Sequence, residues 1–234
     1  MSIVAILVDG GFYRKRARYL FGEKKAKERA DELVKYCNAH LKNKDGDTKR
    51  ELYRIFYYDC PPYDKSVFHP FLKKNVNLKK TDLYVWSSEF LDQLKSKRKV
   101  ALRLGKLSDV TARYQLTKEA QLQLFRNKIK LSQIKENDFE LFIEQKGVDM
   151  KIGIDIASLA YKKQVNQIIL ISADSDFVPA AKLARREGID FILDPMWSTI
   201  KPELYEHIDG LQSQFGKKHK ESKDSKDLNY KQEE

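Results

Sequence analysis

Strands and helices alternating at both ends of this 234-residue chain predict a three-layer α/β sandwich with a mostly parallel central sheet. Two stretches, Ile3 to Val8 and Gln167 to Ser172, are nearly continuous apolar runs, as expected of strands covered on both faces. Aspartates stand directly beyond such runs, at the carboxyl ends where open parallel sheets bind their ligands.

The elements follow in order. Ile3 to Val8 reads as the first strand and ends in Asp9-Gly10-Gly11. A helix begins after Gly11, and another covers residues 26–41. Asn43 to Thr48 is a turn cluster, and Leu52 to Tyr58 is an aromatic second strand stopped by Cys60-Pro61-Pro62. Residues 63–145 form a middle segment of weaker pattern, with a helix at 81–97, a strand at 100–107 and a partly helical polar stretch at 114–130. Beyond it come an amphipathic helix at 149–162, the buried strand at 167–172, a helix at 175–186 ending at Gly188, and a fourth strand at 189–193. Residues 203–211 close the fold as helix or strand. Residues 1–216 are therefore expected to form one domain, and the polar residues 217–234 a disordered tail.

Charge narrows the range of partners. The chain carries 45 Lys and Arg against 34 Asp and Glu, a formal net charge of +11. The tail holds six lysines and five acids, so the excess belongs to the folded part. A basic surface suits a polyanion, since phosphate contacts release counterions. No apolar stretch approaches the roughly 18 residues of a membrane helix. The two cysteines, Cys37 and Cys60, have no metal-ligand or redox spacing, and the apolar start is too short for a signal segment. A cytoplasmic protein is expected.

The chemistry rests on carboxylates. Asp9 follows the first strand, Asp174 and Asp176 follow the most apolar strand, Asp194 follows the fourth, and Asp149 opens the helix before the third. Singly, each has an ordinary explanation as an N-cap or a turn residue. Gathered at one sheet edge they would repel one another unless a cation sat among them. Asp149 shares the apolar face of its helix with Ile152, Gly153 and Ile156, whereas Asp155 falls on a polar stripe. Oxygen donors without a His/Cys cluster suit Mg²⁺ or Mn²⁺ and phosphodiester hydrolysis. Candidate phosphate-holding residues are Arg14, Lys15, Arg16 and Arg18 after Asp9, then Arg103, Lys106, Lys146, Arg185 and Arg186, each also explicable as a solvated side chain. Tyr57, Tyr58 and Tyr63 could stack unpaired bases, with core packing the stronger expectation for the first two. No P-loop and no strand-linked G-x-G-x-x-G appears, and the four histidines are scattered.

Three motifs form an ordered set: Asp9-Gly10-Gly11-Phe12 after a strand, Lys146-Gly147-Val148-Asp149 opening a helix, and Ser172-Ala173-Asp174-Ser175-Asp176-Phe177 after a strand. With Arg185-Arg186-Glu187-Gly188, they make the chain resemble the NYN domain family of the PIN-like nuclease superfamily. The resemblance is strong at the N-terminus and over residues 146–193, and faint over 63–145. It implies a PIN-like sandwich with the first strand beside the strand carrying Ser172, a Mg²⁺ or Mn²⁺ site, and endoribonuclease activity on RNA, single-stranded RNA included. Asp9, Asp149, Asp174 and Asp176 would form the acidic site. Many family members have Asn three positions after the first Asp, where this chain has Phe12.

The leading expectation is a metal-dependent ribonuclease, with homo-oligomers open. Its competitor is an RNA-binding or regulatory module that keeps the fold without catalysis. Toprim domains need a glutamate after an early strand, and haloacid-dehalogenase-like enzymes an Asp-x-Asp after the first strand. Asp9-Gly10-Gly11 supplies neither.

Overall fold

The computed structural model describes residues 2–42 and 50–215; the turn cluster at 43–48 and the tail at 217–234 lie outside the described residues. Strands β1 (Ile3–Asp9) and β2 (Glu51–Asp59) are separated by helices α1 (Gly10–Phe21) and α2 (Ala26–Ala39). A hairpin β3 (Ser66–His69) and β4 (Lys74–Asn77) leads to α3 (Asp82–Lys95) and then β5 (Val100–Leu104). Short elements follow: β6 (Lys106–Leu107), β7 (Arg113–Leu116), α4 (Lys118–Phe125), β8 (Phe139–Phe142) and β9 (Gln145–Lys146). The chain continues through α5 (Val148–Tyr161), β10 (Gln167–Ile171), α6 (Val178–Arg186), β11 (Asp190–Asp194), α7 (Pro202–Tyr205) and β12 (Gly210–Leu211).

Six strands make one sheet in the order β12-β11-β10-β1-β2-β5, every neighbouring pair parallel. This is the predicted α/β sandwich, and β1 does lie beside β10. The unbroken apolar run of β1 is explained by its two covered faces. Ala5 and Leu7 enter a core with Ile152, Ile156 and Ala181 of α5 and α6, while Val4, Ile6 and Val8 enter a core with Tyr13, Leu33 and Phe90 of α1, α2 and α3. From β1 the chain builds outward through β2 and β5, then returns to the other side of β1 with β10. Strand order therefore reverses between β1 and β10, which opens a crevice at their carboxyl ends.

Two expectations need correction. The strand expected over 100–107 breaks at Gly105, whose amide donates to Asp59 O. β5 stays in the main sheet, while β6 leaves it to pair antiparallel with β9. The helix expected from Ser175 starts as one turn of 3₁₀ helix, Ser175–Phe177, with Pro179 in the first turn of α6. The middle segment forms an accessory lobe in which β3 and β7–β8 meet through His69, its ring 4.2 Å from Tyr114 and 5.3 Å from Phe139.

Candidate active site

Asp9 is the last residue of β1 and caps α1. Its Oδ1 accepts the Phe12 amide at 3.1 Å, and its Oδ2 accepts the Ser172 hydroxyl at 3.2 Å. Val8 pairs with Ile171, so Asp9 and Ser172 continue neighbouring strands side by side. Gly10 makes this crossing feasible. A Cβ there would lie 2.6 Å from the Tyr57 ring and from Tyr58 O, so no side chain fits where α1 turns over β2. Burial raises the Asp9 carboxyl above its ordinary range; the Phe12 and Ser172 hydrogen bonds oppose the rise, and the charges of Asp149 and Asp59 add to it.

The Ser172 hydroxyl also accepts the Asp174 amide at 3.3 Å, tying the turn after β10 to Asp9. Asp174 Oδ1 in turn accepts the Asp176 amide at 3.0 Å, an Asx arrangement that starts the 3₁₀ turn. Asp149 sits in the first turn of α5, beyond Gly147, whose φ of 79° suits glycine. Partial burial raises the Asp149 carboxyl, and the charges of Asp174 and Asp176 raise it further. Asp149 is exposed at an open helix end, so solvent screens this repulsion. Asp9, Asp149 and Asp174 line one cleft of about 960 Å³. Asp176 is exposed and lies outside that lining, acting on the cleft through its charge on Asp149.

A further buried carboxylate of the lining, Asp59, lies outside the expected set. Asp59 ends β2 and is 2% exposed, accepting from Arg14 Nη2 (3.1 Å), Tyr57 Oη (3.0 Å) and the Cys60 amide (2.8 Å). Burial raises its carboxyl, and the Arg14 guanidinium opposes that most strongly. The signal was present, since Asp59 follows an apolar strand as Asp9 does, but the strand was expected to end one residue earlier.

The basic wall of the cleft follows from helical geometry. Tyr13 and Ala17 of α1 are buried in the core, which leaves Gly11, Arg14, Lys15 and Arg18 as the stripe facing the cleft. The N-termini of α1 and α5, which carry Asp9 and Asp149, both open toward the cleft and supply positive dipole ends beside the carboxylates.

Other expected contacts lie elsewhere. Arg16 donates to Met196 O (2.7 Å and 3.1 Å), Arg103 pairs with Asp155 at 2.9 Å over the Phe56 ring, and Arg185 pairs with Asp209 at 2.8 Å. All three are held by structural partners, outside the cleft lining. Lys106 and Lys146 are paired across β6–β9, and it is their neighbours Leu107 and Gln145 that line the cleft. Because side chains alternate along a strand, the two lysines point to the opposite face. Tyr57 and Tyr58 are fully buried, so neither stacks a base, whereas Tyr63 does line the cleft. Asp155 is a structural acceptor for Tyr58 and Arg103.

Carboxylate oxygens suit a hard divalent cation. Among the described residues no three His, Cys, Asp or Glu side chains stand close enough to enclose an ion. Mg²⁺ does not require such a cage, because it keeps several waters and is held by one or two carboxylates with substrate phosphate. The donor set is compatible with Mg²⁺ or Mn²⁺ in an open site, which Asp9 and Asp174, linked through the Ser172 hydroxyl, could hold.

The six-strand parallel sheet flanked by helices, with carboxylates where its strand order reverses, is consistent with a PIN-like sandwich. The NYN domain model matches residues 74–199, more than half of the chain, and the chain belongs to the NYN domain family of the PIN-like nuclease superfamily. The matched range takes in the middle segment from β4 onward and leaves out β1 to β3, with Asp9 and Asp59. Family membership makes this a nuclease-like protein of a ribonuclease family. Among curated proteins none matches the chain. Among solved structures, the chain is similar at 12% identity and a TM-score of 0.43 to a protein of unknown function from Vibrio parahaemolyticus, over 90% of this chain and 91% of the other. Among the described residues no helix is long and apolar enough to cross a membrane.

Proposed function

We propose that this protein is a Mg²⁺- or Mn²⁺-dependent endoribonuclease that hydrolyses RNA phosphodiesters in the β1/β10 cleft. The observation that carries the reading is the convergence of Asp9, Asp149 and Asp174 on one cleft whose adjoining wall is the basic stripe of α1. A divalent cation, when bound, supplies Lewis acidity toward a phosphodiester oxygen and makes water a better nucleophile. Asp9 and Asp174 hold it, with Ser172 fixing Asp9 and the turn that carries Asp174. Asp149, whose carboxyl is raised above its ordinary range by partial burial and the neighbouring Asp174 and Asp176 charges, accepts the proton of the attacking water. Arg14, braced by Asp59, donates to a phosphate oxygen and offsets charge as the bond to the leaving oxygen lengthens. Asp176 orders the turn through its amide and adds negative potential at Asp149.

The test is cleavage of end-labelled single-stranded RNA in Mn²⁺ by the wild type and by Asp174→Asn, with thermal melting as the fold check. Loss of cleavage in a folded variant supports the reading. Equal cleavage by both would assign the activity to a contaminant. Binding of RNA without turnover across Mg²⁺ and Mn²⁺ would favour a non-catalytic RNA-binding module.

A further inference from the structure

The cleft is chemically divided. Asp9, Asp59, Asp149 and Asp174 stand at the ends of β1 and β2, at α5 and in the turn after β10, while Glu23, after α1, and Asp82, at the start of α3, also line the cleft. Lys15 and Arg18 lead away from the first four along α1, toward a wall made by the start of α3; Arg18 pairs with Glu23, both side chains being solvent-exposed, so the pair is open to exchange for a phosphate. On that wall, Tyr84 and Trp86 line the cleft, with Leu83 beside them 70% exposed. Aromatic rings left half-buried beside cations, rather than absorbed into the core, form a surface that neither core packing nor phosphate binding alone requires.

The aromatic wall is rigidly built. The Thr81 hydroxyl accepts the Tyr84 amide at 3.3 Å and donates to Leu78 O at 2.6 Å, fixing where α3 begins. The Trp86 ring stacks on Phe90, with centroids 5.1 Å apart and planes 10° from parallel. Its Nε1 donates to Lys24 O at 2.9 Å, so both a face and an edge of the indole are fixed. Phe90 packs edge-on against Tyr57, whose hydroxyl reaches Asp59 and through it Arg14. The wall and the carboxylate end are thus parts of one packed unit.

We propose that Tyr84 and Trp86, with Lys15 and Arg18, form a subsite for an unpaired nucleotide of the RNA strand whose neighbouring phosphodiester lies at the carboxylates. The proposal rests on the nuclease reading for the identity of the strand and adds where its bases go. Stacking on aromatic faces is open to any unpaired base, because every base has a π face, while the two cations track the backbone. Double-stranded RNA keeps its bases stacked inside and is read across its shallow groove, so this subsite selects single strands. From Gly11 to Arg18 the stripe advances about 10 Å at ~1.5 Å per residue, long enough to separate the reacting phosphate from the next base.

The chain has two tryptophans, so Trp197→Phe leaves Trp86 as the only indole reporter. In EDTA, an unlabelled 2′-O-methyl RNA of about eight nucleotides should quench Trp86 emission, whereas an abasic strand of that length should not. Tyr84→Ala should weaken binding about 5- to 100-fold and Tyr84→Phe should restore it. Replacing both Lys15 and Arg18 by Ala should flatten the slope of log affinity against log salt by about 1.4. Binding seen by anisotropy with unchanged Trp86 emission, equal affinity for the abasic strand, or equal quenching by a duplex would each overturn the subsite. Cleavage by the same Trp197→Phe protein in Mn²⁺ separates the two readings. Cleavage without quenching removes the subsite alone, and quenching without cleavage keeps the subsite and removes catalysis.

Discussion

Asp174 and Asp194 end neighbouring strand regions in the same sheet, yet they serve opposite purposes. Asp194 is completely buried, and both of its oxygens are taken. Oδ2 accepts from Tyr36 Oη at 2.7 Å and lies 2.8 Å from His40 Nε2; Oδ1 accepts from the Met196 amide at 2.7 Å and Ser213 Oγ at 2.9 Å. Asp174 is exposed and uses one oxygen on the Asp176 amide. The first carboxylate has traded its hydration for a full set of protein donors and staples α2 to the chain after β12. The second keeps capacity facing a cleft. A sequence pattern of aspartate after apolar strand marks both, and only the completeness of the hydrogen bonding separates staple from site.

That contrast can be broken by experiment. The largest expected effect is catalytic: Asp174→Asn should lower the rate of single-stranded RNA cleavage by at least about a hundredfold while the melting temperature holds or rises. If the variant instead melts early, Asp174 is a staple too. Next is Asp194→Ala, which strands the Tyr36 and His40 groups in the core. It should cost about 3–5 kcal/mol, or roughly 6–20 °C in melting temperature, and an unchanged melting curve would remove the distinction. Asp59 stands between the two types, buried like a staple but lining the cleft. Asp59→Asn should lower kcat/KM roughly tenfold by loosening Arg14, and an effect on melting alone would make it structural. The smallest effect concerns Asp9. Because burial raises its carboxyl above the ordinary 3.8, the folded chain keeps that proton at a pH where the unfolded chain has lost it. The ionised form therefore costs stability that returns as pH falls through the raised value. Asp9→Asn, which can still cap α1, should raise the melting temperature in EDTA by roughly 2–4 °C per kcal/mol relieved. It should also abolish the extra stabilisation that Mn²⁺ gives the wild type. A lower melting temperature for Asp9→Asn would show that the carboxylate is satisfied rather than strained.

Much of this was legible in the chain. The apolar runs of β1 and β10 signalled two covered faces, and Gly147 before Asp149 marked the start of α5. The basic residues were harder to sort. Arg14 and Arg16 lie two positions apart on one helix, and a helix turns about 200° between them. One reaches the cleft and Asp59, the other the Met196 carbonyl on the far side. Arg103 and Arg185 looked as available as Arg14, but Asp155 and Asp209, distant in sequence, occupy them. The β6–β9 ribbon was invisible because a two-residue strand has no period to read.

By itself the sequence determined the layers of the fold, the strand ends at which acids cluster, and the cationic excess, because each depends on local periodicity and composition. Tertiary structure alone decided which acids stay unsatisfied, which arginines are occupied, and that Tyr84 and Trp86 share a cleft with Asp9. Those outcomes depend on which distant partner fills a side chain's hydrogen-bonding capacity, and no local pattern records that.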